Sequence, residues 1–205
     1  EIALENGKAV TELTVTGTCG HRNSGTSVHF WPDPKYFDSS KFSTLRLINN
    51  LRAKAVLCPG LEITFSDKVN NEEHKWFYED GLKDYLAEGV KGYTLLPEEP
   101  YVGEFVAETE MANWAIIWQP EGGDMITESY VNLVPTKQGG THVNGLRTGL
   151  LDAMREFCEF RTLLPRGVKL SAEDIWERCC YILSVKMQDP QFSGQTKERL
   201  SSRHI

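Results

Sequence analysis

Residues 143–164 carry the pattern that most restricts the fold of this chain. Leu146, Leu150, Met154, Phe157 and Cys158 recur on one side of a 3.6-residue period, while Arg147, Asp152 and Glu156 fall on another. That spacing predicts one long helix with an apolar stripe that must be buried. Strand patterns flank it. EFVAETEM, NWAIIWQP and ESYVNLVPT come before it; the first two are expected to be adjacent and antiparallel, and the second and third to be joined by the EGGD turn. SAED, residues 171–174, is a capping box that opens a short helix, and CCYILSVKM is a final strand. Helices inserted between antiparallel strands give an α+β class.

The N-terminal part has the same mixed character. KAVTELTVTG and GTSVHFWP alternate weakly and predict a hairpin across residues 17–25. KFSTLRLINNLRAKAVLCPG predicts a helix with Ser43 as N-cap and Pro59-Gly60 as its stop. LEITFSD and EHKWFYE form a second hairpin, turned at Asn70-Asn71, and DGLKDYLAEGV a short helix. KGYTLLPEEP, with Gly92, Pro97 and Pro100, reads as a linker, which places a domain boundary between about residues 80 and 100. There is no internal repeat and no low-complexity tract.

At 205 residues the chain is long enough to bury a core without staples. It begins with Glu1 rather than Met, which suggests a fragment or a processed chain. The five cysteines form no CxxC pair, so neither a disulfide framework nor a four-ligand zinc site is expected, and a reducing, cytoplasmic setting fits them better. No apolar run approaches the roughly 20 residues that span a bilayer. A formal charge of -7 argues against a sequence-blind nucleic-acid binder, although a local basic channel remains compatible with it.

The motifs for chemistry are sparse. GHRNSGTS, residues 20–27, has phosphate-loop spacing, but Thr26 stands where the lysine belongs and a strand pattern follows instead of a helix; a hairpin turn is the plainer reading. KQGGTHVNGLR, residues 137–147, sets two glycines, a Thr and a His ahead of the long helix. Either the backbone amides there hold an anion, or Thr141 caps the helix and His142 packs beside it. The five histidines form no metal-binding pair, and no nucleophile is tied by spacing to a base. Of Cys179 and Cys180 one side chain should point in and the other out, and core packing explains the pair better than redox chemistry. Trp31, Trp76, Trp114, Trp118 and Phe157 are core residues by default. Gln195, Thr196 and Lys197 follow a flexible Ser193-Gly194 and combine an amide, a hydroxyl and an ammonium suited to gripping an anion, yet a loop lysine taken alone is usually a solvated charge.

GTSVHFWPD, AKAVLCPGLEITF, GGTHVNGLRTGLLDAMREF, LPRGVKLSAEDIWERC and VKMQDPQFSGQTKERLSS, in this order, resemble the ATPase part of the B subunits of bacterial type II topoisomerases over essentially the whole chain, those of topoisomerase IV more closely than those of gyrase. The resemblance implies that residues 1–82 are the C-terminal portion of a GHKL ATP-binding domain. It implies that residues 83–205 are a transducer domain of the ribosomal-S5-like fold without its last helix. Gln195 and Lys197 match the residues that touch the γ-phosphate of ATP in that family, Thr26 a threonine that lines the adenine pocket, and Arg147 an arginine that faces the DNA in the cavity of the dimer. The ligands of Mg²⁺ and the catalytic glutamate would lie upstream, so this polypeptide alone should not hydrolyse ATP. The implied partners are DNA, the DNA-cleaving A subunit of topoisomerase IV (ParC), and a second B subunit in an ATP-bound homodimer; no membrane is involved.

Two other readings differ from this one: a gyrase B subunit with supercoiling output, and a stand-alone S5-like interaction module with no role for ATP. A half-sheet with exposed edges also predicts poor stability for the chain by itself.

Overall fold

The computed structural model describes residues 1–203, in two units, residues 1–42 and the chain from residue 43 onward. In the first unit β1 (Leu4–Glu5) pairs with β2 (Lys8–Ala9) across Asn6 and Gly7, both at positive φ, the two-residue turn that Asn-Gly favours. The hairpin expected across residues 17–25 does not form. A turn closes from Gly20 to Asn23, but neither flank enters a ladder. An alternating run becomes a strand only where an edge receives it, and these residues have none in their own unit. Val15, Val28, Phe30 and Trp31 accordingly stand 93, 73, 66 and 84 % exposed, which also corrects the assignment of Trp31 to the core.

The second unit opens as its sequence predicts. α1 (Thr44–Leu57) starts at Ser43, whose Oγ accepts from the Arg46 amide, and stops before Pro59. β3 (Ile63–Asp67) and β4 (Glu72–Trp76) form a hairpin with Asn71 in the left-handed region. The Asp67 carboxylate holds that turn by accepting from the amides of Val69 and Asn70. α2 (Leu82–Gly89) follows.

The strands after it depart from expectation in two ways. β5 (Leu96–Val106) takes up residues 96–100, which were read as linker. Prolines are tolerated there because β5 is an edge strand, and the register slips between Leu96 and Tyr101, around Pro97 and Pro100. β6 (Glu110–Trp118) pairs antiparallel with it, as expected. β7 (Thr127–Val131), however, is not a hairpin partner of β6. β9 (Cys179–Met187) lies between them, antiparallel to β6 and parallel to β7, and β8 (Val134–Pro135) closes the far edge, giving the order β5-β6-β9-β7-β8. The CCYILSVKM run explains the insertion: it is apolar without alternation, so it is stable only at the centre of a sheet covered on both faces.

Both faces are covered. On one, α3 (Thr141–Arg161) and α4 (Ala172–Trp176) pack through Val143, Leu146, Leu150, Met154, Ile175 and Trp176 onto Ile116, Tyr181, Leu183 and Val185. On the other, Leu86, Val90 and the end of α1 at Leu57 meet Ala115, Ile117, Tyr130 and Ile182. Cys179 falls in the first cluster and Cys180 in the second; neither points outward as expected, because both faces of the strand are covered. α3 is two residues longer than expected at its start and three shorter at its end. Thr162 takes a left-handed conformation there, and its N–H caps the last turn. Phe157 is a correction: at 54 % exposure it lies off the buried stripe. The capping box of α4 is formed as read, Ser171 Oγ accepting from the Asp174 amide while the Asp174 carboxylate accepts from the Ser171 amide. The class is α+β.

Candidate functional site

β9 runs out at Met187, where Asn132 clamps both its N–H and its C=O, and the chain then doubles back over residues 189–201. The two legs of this loop are tied to each other. The Ser193 amide donates to the Arg199 carbonyl at 3.0 Å, the Ser201 amide to the Gln191 carbonyl at 2.8 Å, and Phe192 bridges Leu200. At the tip, the Lys197 amide closes a turn onto the Gly194 carbonyl at 3.1 Å, with Lys197 itself at φ +57°. A lysine in that region costs of order 1 kcal/mol, so the rest of the loop must hold it there.

Gln195, Thr196 and Lys197 are all exposed. The Lys197 ammonium stands 5.9 Å over the Phe192 ring, and among the described residues it makes no ion pair with a carboxylate. The loop thus presents an amide, a hydroxyl and an ammonium to an outside partner. Its root is the opposite in character: Leu200 is 1 % exposed and belongs to the core cluster of α3 and α4.

That root is set against the segment GGTH, which lies some 60 residues earlier in the chain. The Gln138 amide donates to the Glu198 carbonyl at 2.9 Å, the Leu200 amide to the Gly139 carbonyl at 3.0 Å, and the Thr141 amide to the Leu200 carbonyl at 3.2 Å. Gly140, at φ +138°, is the N-cap of α3, and no side chain caps the helix. The expected cap is corrected: Thr141 does not cap the helix, its Oγ1 being buried without a partner, and the first amide of the helix donates to the Leu200 carbonyl. His142 does pack beside the helix start. It is 3 % exposed, its Nε2 lies 3.0 Å from Thr136 Oγ1, and burial lowers its imidazole to about 4, so it is neutral. Thr136 Oγ1 lies in turn 2.7 Å from Ser129 Oγ.

One turn further on, Arg147 is exposed with its guanidinium 5.4 Å over the Trp176 ring. A groove of about 540 Å³ past the start of α3 is lined by Lys137, Arg147, Arg199 and Glu177, three cations to one anion. Thr26 lies in the first unit, exposed and outside any strand. Burial pushes the Cys179 thiol up to about 12, far from the thiolate that redox or nucleophilic chemistry needs. Among the described residues no three His, Cys, Asp or Glu side chains gather where they could hold a metal ion, and no helix is long and apolar enough to cross a membrane.

Comparison with known proteins matches this architecture. The DNA gyrase B family model covers residues 81–205. The topoisomerase IV B subunit of Salmonella typhimurium is 70 % identical over 98 % of this chain and 32 % of its own length, so the chain spans about a third of such curated relatives. Among solved structures, the topoisomerase IV ATP-binding domain of Francisella tularensis superposes with a TM-score of 0.82 at 38 % identity, over 99 % of this chain and 55 % of that one. The 43K ATPase domain of Thermus thermophilus gyrase B gives the same TM-score at 26 % identity, over 98 % and 54 %. The chain belongs to the DNA gyrase B family, as a segment similar to the B subunits of topoisomerase IV.

Proposed function

We propose that this segment couples ATP to DNA strand passage in a type II topoisomerase B subunit, with Lys197 and Gln195 contacting the γ-phosphate. One observation carries the reading. Three side chains suited to an anion stand exposed at the tip of a loop whose root, Leu200, is fixed in the core. Such a loop has little reason to hold Lys197 at positive φ unless something outside is to be met. ATP supplies a terminal phosphate that is present before hydrolysis and gone after it. Lys197 and Gln195 would bind it, orient it and report its loss, and the loop would bias a domain rearrangement only while the nucleotide is intact.

The finer assignments belong to the same reading. Residues 1–82 would be the end of a GHKL domain and residues 83–205 the transducer, a division supported by the start of the family match at residue 81. Thr26 would line the adenine pocket. Arg147 would face DNA, supported by its exposure and by the cationic groove it shares with Lys137 and Arg199, which gives an acidic chain a local positive surface. Among the described residues no cluster of carboxylates fits Mg²⁺. The partners would be ParC, DNA and a second B subunit, in the cytoplasm.

The test is steady-state ATP turnover of the full-length subunit, comparing Lys197→Ala with the unmodified protein. Loss of a charge-assisted contact to the reacting phosphate should slow turnover about 100-fold or more while nucleotide binding is largely kept. Unchanged turnover would remove the sensing role.

A further inference from the structure

We propose that Gly140 is a positioning residue that locks the loop carrying Lys197 to the start of α3, so that the two move as one body; this rests on the phosphate-sensing reading above. The lock is a contact between two main chains. A Cβ built on Gly140 would stand 2.2 Å from the Leu200 carbonyl oxygen, 2.6 Å from its nitrogen and 2.9 Å from its carbonyl carbon, so no other residue fits without moving Leu200. The close approach is what allows the bonds from Gln138, Leu200 and Thr141 to form on either side of it, with the side-chain bond of Gln138 Nε2 to the Glu198 carboxylate at 2.9 Å alongside. Because Leu200 is buried beside Val143 and Ile175, the lock cannot slide without opening the core.

The geometry gives the lock a direction. Lys197 lies three residues from Leu200 on one side, and Arg147 lies seven residues from Gly140 on the other, on the first two turns of α3. A shift at the loop tip is passed by main-chain hydrogen bonds into a rigid helix, with no flexible side chain in series. On the far side, His142 ties the same turn of α3 to Thr136, and Thr136 to Ser129 on β7, so the helix start is also held to the sheet. Loop, helix start and sheet therefore form a single unit that a ligand at Lys197 can tilt.

Gly139 supplies the control. It too is at positive φ, +63°, but a Cβ there would meet only Val143, at 3.4 Å, and nothing of Leu200. Gly139→Ala strains the turn and leaves the lock, whereas Gly140→Ala strains the turn and breaks it.

The experiment is amide hydrogen exchange on the full-length subunit, with and without a non-hydrolysable ATP analogue, for the unmodified protein, Gly139→Ala and Gly140→Ala. In the unmodified protein the analogue should slow exchange both at residues 195–197 and at residues 138–147. Gly140→Ala should keep the response of the loop, lose that of residues 138–147, and speed exchange at the Gln138 and Leu200 amides roughly tenfold or more, with β9 still protected. Gly139→Ala should respond as the unmodified protein does. A response of α3 that survives Gly140→Ala overturns the lock. If the analogue leaves residues 195–197 unprotected in the unmodified protein, the sensing reading fails first and the lock loses its role with it. Should Gly140→Ala not fold, the unmodified protein decides: the Gln138, Thr141 and Leu200 amides must exchange with one common protection, and distinct values overturn the proposal.

Discussion

Tyr130 donates its hydroxyl to the carboxylate of Glu128, two residues earlier on the same strand, at 2.5 Å. Residues i and i+2 share a face of a strand, so the contact follows from the pleat. Tyr85 of α2 reaches the same carboxylate at 2.9 Å and is in turn covered by the guanidinium of Arg52 at 5.0 Å. Arg52 pairs with Glu88 at 3.1 Å and donates to the Tyr78 hydroxyl. The chain of contacts joins α1, α2 and β7. Burial first, and the Glu128 charge second, push the Tyr85 hydroxyl up to about 12, while burial and then the hydrogen bond to Glu128 raise Tyr130.

Glu128→Gln should therefore cost about 1–2 kcal/mol in denaturant unfolding, because two hydrogen bonds lose their charged acceptor. A tyrosine whose folded value lies above the ordinary 10 contributes stability that is full below pH 10 and is lost as pH rises through the folded value. In Glu128→Gln that alkaline loss should begin at a similar pH but be smaller, since burial remains. An ultraviolet titration of tyrosinate, in which the late phase is unchanged by the substitution, would show that Glu128 does not govern these hydroxyls.

His142 gives the acidic counterpart. Its imidazole is lowered from 6.5 to about 4 by burial, so the unfolded chain binds a proton that the folded one refuses. Stability contributed this way is present above pH 6.5 and falls as pH drops toward 4, by at most about 3 kcal/mol. His142→Gln keeps a group able to bond Thr136 and removes the titration. Melting midpoints measured from pH 7 to pH 4.5 should fall more steeply for the unmodified protein than for His142→Gln; parallel slopes would refute this account.

What could be read in the sequence divides along the range of the forces involved. α1, the β3–β4 hairpin, α2 and α4 were legible because Ser43, Asn71 and the Ser171–Asp174 pair act within a few residues of themselves. The position of β9 was not, although its unbroken apolar run already required two covered faces; only the register with β6 and β7 shows that it separates them. The loop of Gln195 and Lys197 was legible as a group of anion-binding side chains. Its attachment was not, because Gly140 and Leu200 meet through main-chain atoms across 60 residues, and the glycine pair had two nearer explanations in helix capping and anion binding. The hairpin expected from KAVTELTVTG and GTSVHFWP, residues 8–17 and 25–32, fails for the complementary reason. Their alternation is real, but a pattern states a preference for an edge and does not supply one.

The last prediction concerns where the stability of the chain resides. Every buried apolar residue among those described lies between Ala55 and Leu200. The first unit exposes Val15, Val28, Phe30, Trp31, Tyr36 and Phe37 instead, apolar side chains of the kind that drive self-association. A chain beginning at Ser43 should then melt cooperatively, with a midpoint within about 3 °C of the 205-residue chain, since less than about 1 kcal/mol of folding stability is removed. It should also stay monomeric at concentrations where the longer chain associates. Limited proteolysis of the longer chain should cut within residues 10–42 before any site in β6 or β9, because exposed backbone outside a ladder is what a protease can bind. A chain from Ser43 that does not melt cooperatively would refute this prediction.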